Sequence, residues 1–200
     1  MLTPLAHIIS LLFNPVVLLF PVPYLLVVRE TGNPVYALKW TIFSLFFLVI
    51  IGIFMGYAVR KGYFTDFDVS KREQRPLLFL FIFLICILYF LSLLYLQGPV
   101  VLFIILAGIL CSVLVFSFLN TRIKASIHLA TVSALIFSFS MLYSDVFLLL
   151  LILIPIVAWS RIHIKRHTFE ETIVGTATGI VITFLFYVLF KIVLGMSVSV

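Results

Sequence analysis

Residues 77–118 read LLFLFIFLICILYFLSLLYL, then Gln97-Gly98-Pro99, then VVLFIILAGILCSVLVFSF. The stretch carries no charged side chain, and its only strong break is the Q-G-P triplet at the centre. Each half approaches the roughly 20 apolar residues that a helix needs to cross a hydrocarbon core. A barrel strand would be about half as long and would alternate polar with apolar. In lipid the backbone must satisfy its own hydrogen bonds, so helices are the element that remains. The triplet reads as a tight turn between neighbouring helices. This pair sets the fold class: all-α, a polytopic transmembrane helix bundle.

The rest of the chain extends the pattern. Apolar runs cover approximately residues 8–28, 38–59, 77–96, 99–118, 128–143, 145–159 and 172–195, which predicts six or seven helices in a single domain over residues 1–200. The composition agrees, with 64% hydrophobic and 10% charged residues against about 45–50% and about 25% in soluble domains. Pro15, Pro21 and Pro23 predict a kinked or re-entrant first run. The fifth and sixth runs are short, so their ends should recruit loop residues, and Tyr143-Ser144-Asp145 reads as the turn between them. Cys86 and Cys111 both lie inside apolar runs and read as small buried side chains rather than disulfide or metal ligands. No basic segment or small-residue cleavage site marks a leader, so the first run is read as mature protein. The net charge of +6 resides in short loops, where cations set topology or meet anionic headgroups rather than nucleic acid.

Three loops are polar: Arg60–Pro76, Asn120–His128 and Ser160–Glu171. Two apolar runs separate each from the next, so all three should emerge on one membrane face. Ten of the 13 Lys and Arg residues fall on that face; Arg29, Lys39 and Lys191 fall on the other. The positive-inside rule puts the polar face in the cytoplasm, and an integral protein of a prokaryotic plasma membrane is the localisation expected.

A set of Arg, Lys and His at a membrane surface suits phosphate. Guanidinium forks match phosphate oxygens, an ammonium offers a point charge, and histidine can act as nucleophile or proton donor. His163 and His167 are four apart, but the HExxH pattern of zinc proteases is absent. Ser160-Arg161, five residues, His167, three residues and Glu171 resembles the third motif, S-R-x5-H-x3-D, of the type 2 phosphatidic acid phosphatase superfamily, with Glu in place of Asp. Ala125-Ser126-Ile127-His128 resembles the second motif, P-S-G-H, keeping its Ser and His. Arg75-Pro76 fits the end of the first motif, K-x6-R-P, while Asp68 occupies its Lys position. The loop from Asp66 to Pro76 and the Ser126-x-His128 pair are also similar to a compact prokaryotic branch of that superfamily.

The resemblance implies metal-independent hydrolysis of a lipid phosphate or polyprenyl diphosphate, with no cofactor, and it points to the outer membrane face, where many superfamily members carry this site, against the cytoplasmic face that the cation count gives. His167 would attack phosphorus, Glu171 would orient its ring, and His128 would protonate the leaving oxygen and then activate water. Arg75, Arg161 and Ser126 would bind phosphate oxygens, aided by Lys71 or Arg72. Other readings stand beside this one. Thr168 to Glu171 is also a capping box, T-x-x-E. Asp66 and Asp68 could be loop residues paired with Lys71 or Arg72, or could hold Mg²⁺ as in prenyltransferases. The chain could also be an inactive lipid-phosphate binder. His7 and His163 read as bystanders, and Arg60 and Lys61 as an anchor at a helix end.

Overall fold

The computed structural model describes residues 2–194 and is 82% helical, with no strand among the described residues. In order, the α-helices are α1 (Leu2–Leu12), α2 (Pro15–Leu19), α3 (Val22–Thr31), α4 (Pro34–Arg60), α5 (Arg75–Tyr95), α6 (Val100–Leu119), α7 (Ile127–Leu142), α8 (Leu153–His163) and α9 (Phe169–Leu194). Short 3₁₀ turns, Arg72–Gln74 and Asp145–Ile152, lead into α5 and α8. Six helical segments are long and apolar enough to cross a membrane: Leu2–Leu19, Pro34–Arg60, Arg72–Tyr95, Val100–Leu119, Asp145–His163 and Phe169–Leu189. α7, with 16 residues, is shorter than the roughly 20 that a perpendicular span needs. The end of the seventh apolar run, at Gly195, lies outside the described residues.

The first apolar run differs most from expectation. It is broken at Asn14 and again at Phe20-Pro21, and the segment long enough to span begins at Leu2 rather than at residue 8. Each break falls beside a proline that lacks the N–H an uninterrupted helix requires. Asn14 Oδ1 accepts the N–H of Val16 at 3.0 Å, which caps the restarted turn. The third polar loop also begins later than expected. α8 continues through Ser160 and Arg161 to His163, because both side chains are buried.

Contacts divide the chain into two compact units, one formed by the residues up to Leu18 with those from Ile123 onward, the other by Leu19–Arg122. In the continuous unit, α3 and α4 form a hairpin about Gly32, whose φ of 64° is a left-handed value that glycine adopts without strain. Asn33 then caps α4 by accepting the Tyr36 N–H. Trp40, Val27, Cys86, Leu93, Leu102 and Leu106 make its core. The Q-G-P turn joins α5 to α6 as expected. Gly98 sits so close to Leu93 and Trp40 that any Cβ there would crowd them.

In the discontinuous unit, α7 packs along α9, and α1 along α8. α9 carries Gly175 and Gly179, one turn apart. A Cβ on Gly175 would overlap the Ser126 backbone, and one on Gly179 would overlap the Ala130 carbonyl and the Ser133 hydroxyl. This is the small-xxx-small device by which helices approach closely in lipid. Ser133 Oγ crosses the contact to the Thr176 carbonyl at 3.0 Å. Leu129, Val132, Ile136 and Val157 are buried beneath Ile9, Phe13 and Leu18.

A leucine at Gly175 or Gly179 should therefore force the two helices apart, costing about 3 kcal/mol or more. Leucine at Gly52, where a new Cβ meets nothing within 4 Å, should cost far less. Thermal unfolding of the three detergent-purified variants checks this. Equal losses at all three positions would remove the close-packing account.

Candidate active site

The chemistry of the third loop begins with how α9 starts. Thr168 and Glu171 form a reciprocal capping box. The Glu171 N–H donates to Thr168 Oγ1 at 3.3 Å, and the Thr168 N–H donates to Glu171 Oε2 at 3.2 Å. The same Oε2 lies 2.8 Å from Nδ1 of His167. One carboxylate thus caps the helix and holds the imidazole; the two readings of Glu171 coexist. An ionised carboxylate can only accept, so Nδ1 carries the proton, and Nε2 of the neutral ring keeps a lone pair. The His167 side chain is 2% exposed and that of Glu171 16%.

The turn before α9 is tied to Arg161. The N–H groups of Arg166 and His167 both donate to the Arg161 carbonyl, at 3.0 and 3.2 Å, while Lys165 adopts a left-handed φ of 57°. The Arg161 side chain is 1% exposed, and its Nη1 donates to Ser10 Oγ of α1. Ser160 Oγ donates to the Ala6 carbonyl at 2.6 Å. Ala6 and Ser10 are the buried residues of α1. His163 contacts Thr3 and stacks on Trp159.

The second loop joins the third at two points. The Ser126 N–H donates to the Glu171 carbonyl at 3.0 Å, and Lys124 Nζ donates to the Arg166 carbonyl at 2.7 Å. Ser126 precedes α7 in the N-cap position but makes no capping bond with its side chain. Its hydroxyl is fully buried and has no hydrogen-bond partner among the described residues. Such a group calls for a water or a ligand oxygen. His128, on the first turn of α7, is also buried. Of the residues expected from the sequence, Ser126, His128, Arg161, His167 and Glu171 thus belong to the discontinuous unit.

Lys71, Arg72 and Arg75 belong to the other unit. Arg75 opens α5, is 3% exposed, and donates from Nε to the Val69 carbonyl at 3.3 Å. Val69 is buried at φ 46°, a costly conformation for a β-branched residue. Asp66 Oδ1 accepts from the Asp68 N–H and the Ser70 hydroxyl, so this carboxylate organises its own loop. Arg72 does not form the expected ion pair with the aspartates. It donates to the carbonyls of Thr121 and Arg122 at 2.8 and 3.0 Å, in the turn that follows α6. Asn120 Nδ2 donates in return to the Arg72 carbonyl. Lys71 is exposed. Among the described residues, no three His, Cys, Asp or Glu side chains converge as a metal-binding group.

Three supports escaped the sequence reading. The α1 brace was signalled only by Ala6 and Ser10, small residues one turn apart in a bulky helix. The Gly175-x-x-x-Gly179 spacing was visible, though not its partner. Lys124 stands with Lys71, Arg75 and Arg161 among the loop cations that could belong to the site, but its bond to the Arg166 carbonyl had no signal in the sequence.

Comparison of the chain with protein-family models, curated proteins and solved structures found no match.

The dual use of Glu171 separates by substitution. Glu171→Gln preserves a capping acceptor and should leave thermal stability within about 0.5 kcal/mol, whereas Glu171→Ala should cost about 1 kcal/mol. Unfolding curves for both variants, measured side by side, give the comparison.

Proposed function

We propose that this chain is a membrane-embedded hydrolase of lipid phosphates or diphosphates, working through a phosphohistidine on His167 and needing no metal. The observation that carries the reading is the 2.8 Å contact between His167 Nδ1 and Glu171 Oε2. It fixes the tautomer in which Nε2 is the nucleophilic nitrogen, and its partner favours the positive ring that forms when Nε2 bonds to phosphorus.

The steps follow from those roles. Nε2 of His167 forms a bond to phosphorus while the bond from phosphorus to the leaving oxygen breaks. His128 gives that oxygen a proton, releasing a lipid alcohol, or a lipid monophosphate where the substrate is a diphosphate. Water then loses a proton to His128 and attacks phosphorus. The P–N bond breaks, its electron pair returns to Nε2, and inorganic phosphate departs. Fixed donors, the Arg161 guanidinium and the Ser126 hydroxyl, bear on the phosphate oxygens where charge grows. The roles of Arg75, Lys71 and Arg72 rest on the motif resemblance alone. What supports a lipid substrate is the six long apolar helices, since loops joined to membrane-spanning helices lie near headgroup depth.

Detergent-purified protein should release phosphate from one or more of phosphatidic acid, phosphatidylglycerol phosphate and a polyprenyl diphosphate with EDTA present. His167→Ala should abolish release, and His128→Ala should slow it by about 10²–10⁴-fold. Glu171→Gln should slow it by at least about tenfold while keeping the fold. Brief reaction with labelled substrate should leave acid-labile phosphate on wild type and none on His167→Ala. Release that requires Mg²⁺ and survives loss of His167 would sink the mechanism.

We further propose that the polar loops face the cytoplasm of a prokaryotic cell. Exposed Lys61 and Gln97, in the connections at the two ends of α5, serve as reporters. In intact cells an impermeant thiol reagent should label Gln97→Cys and spare Lys61→Cys; the reverse pattern inverts the orientation.

A further inference from the structure

We infer that Ser10 is a positioning residue for His167, acting through Arg161, and that the first helix is therefore part of the site. The inference rests on the role proposed above for His167. It adds a residue from α1, which none of the three motif resemblances touches.

The contacts that link these residues all lie within the discontinuous unit. The Ser10 hydroxyl accepts from Nη1 of the Arg161 guanidinium, and both residues are buried. Ser160, the neighbouring residue, donates its hydroxyl to the Ala6 carbonyl at 2.6 Å, one turn earlier on α1. Two adjacent residues near the end of α8 are thus fastened to successive turns of the same helix. The two residues that α1 buries are the ones that meet them. The Arg161 carbonyl in turn accepts the N–H groups of Arg166 and His167, at 3.0 and 3.2 Å. The backbone of His167 hangs from the residue whose side chain α1 holds.

A guanidinium is always charged, and removing an acceptor from a buried one leaves a charged donor unmet at full desolvation cost. The side chain then shifts, and its residue with it. The turn between Arg161 and His167 includes Lys165 at a left-handed φ of 57°, a sparsely populated conformation for a residue with a side chain. The two N–H bonds to the Arg161 carbonyl close this turn. A displacement of Arg161 therefore passes into it and reaches His167, whose ring keeps a 2.8 Å contact with Glu171. Misplacing a reacting group by about 1 Å can cost about 10²-fold in rate.

The test separates positioning from general stability. Full-length wild type, Ser10→Ala, Ser10→Cys and Ser44→Ala are purified in detergent. Ser44→Ala is the control: its hydroxyl meets that of Tyr89 at 2.6 Å in the other unit, so it removes a buried bond between helices without touching the linkage. The imidazole nitrogen resonances of His167, identified by their loss in His167→Ala, should move in Ser10→Ala and stay in place in Ser44→Ala. Ser10→Cys, close to serine in size but with a weak acceptor, should move them the same way by less, and it decides the matter where the alanine variant does not fold. On a lipid phosphate that wild type hydrolyses, kcat should fall at least about tenfold in Ser10→Ala with KM within about threefold, while Ser44→Ala keeps both. Resonances unmoved by the Ser10 variants overturn the inference, as does equal movement in Ser44→Ala or an unchanged kcat in Ser10→Ala. Resonances that move with Ser10 alone, in a protein that hydrolyses nothing, leave the positioning standing and remove hydrolysis, so the two can fail separately.

Discussion

The approach of α9 to α7 is the constraint on which the discontinuous unit depends. Two helices in lipid gain nothing by hiding apolar surface from each other, since the lipid is apolar too. They associate where their surfaces fit and where polar groups meet across the seam. Glycines 175 and 179 remove the side chains that would hold the backbones apart. The Ser126 N–H then reaches the Glu171 carbonyl, and the Ser133 hydroxyl reaches the Thr176 carbonyl. The residue whose carbonyl receives Ser126 is the one whose carboxylate holds His167. Helix packing and the orientation of the imidazole are therefore parts of one contact.

Polar side chains are treated in two ways. Within the apolar helices, several hydroxyls turn back on their own backbone: Thr41 to the Ala37 carbonyl, Ser92 to that of Leu88, Ser112 to that of Gly108. These bonds satisfy the group locally and tie it to nothing distant. The charged residues of the polar loops instead reach far along the chain. Arg161 reaches Ser10, Lys124 reaches the Arg166 carbonyl, and Arg72 reaches the turn after α6. Long-range polar contacts are concentrated where the loops need a defined geometry.

Much of the helical framework was legible because charge-free runs have the length of a span. α4, α5, α6 and α7 begin and end within four residues of the apolar runs that announced them. The spacing of His167 and Glu171 also announced their contact, since residues four apart at a helix start lie one turn from each other. The missed features depend on what a residue touches rather than on what it is. Hydrophobicity did not distinguish Ser10, which receives Arg161, from the other hydroxyls of the apolar runs. Nor did it show that Arg161 would be buried and carry α8 beyond its apolar run. The break at Asn14 was masked because the residues on both sides of it are apolar.

The division of the chain also has a consequence for the order of assembly. Residues 19–122 make their mutual contacts as an uninterrupted stretch, so that portion can settle while the ribosome is still at work. The other portion cannot. Ala6 and Ser10 meet Ser160 and Arg161 across sequence separations of 154 and 151 residues. α1 must therefore wait, with its serine unmatched by that arginine, until α8 has been synthesised. The imidazole and its carboxylate come later still. During biogenesis the earliest helix and the last two come together only after the residues between Leu19 and Arg122 have been made.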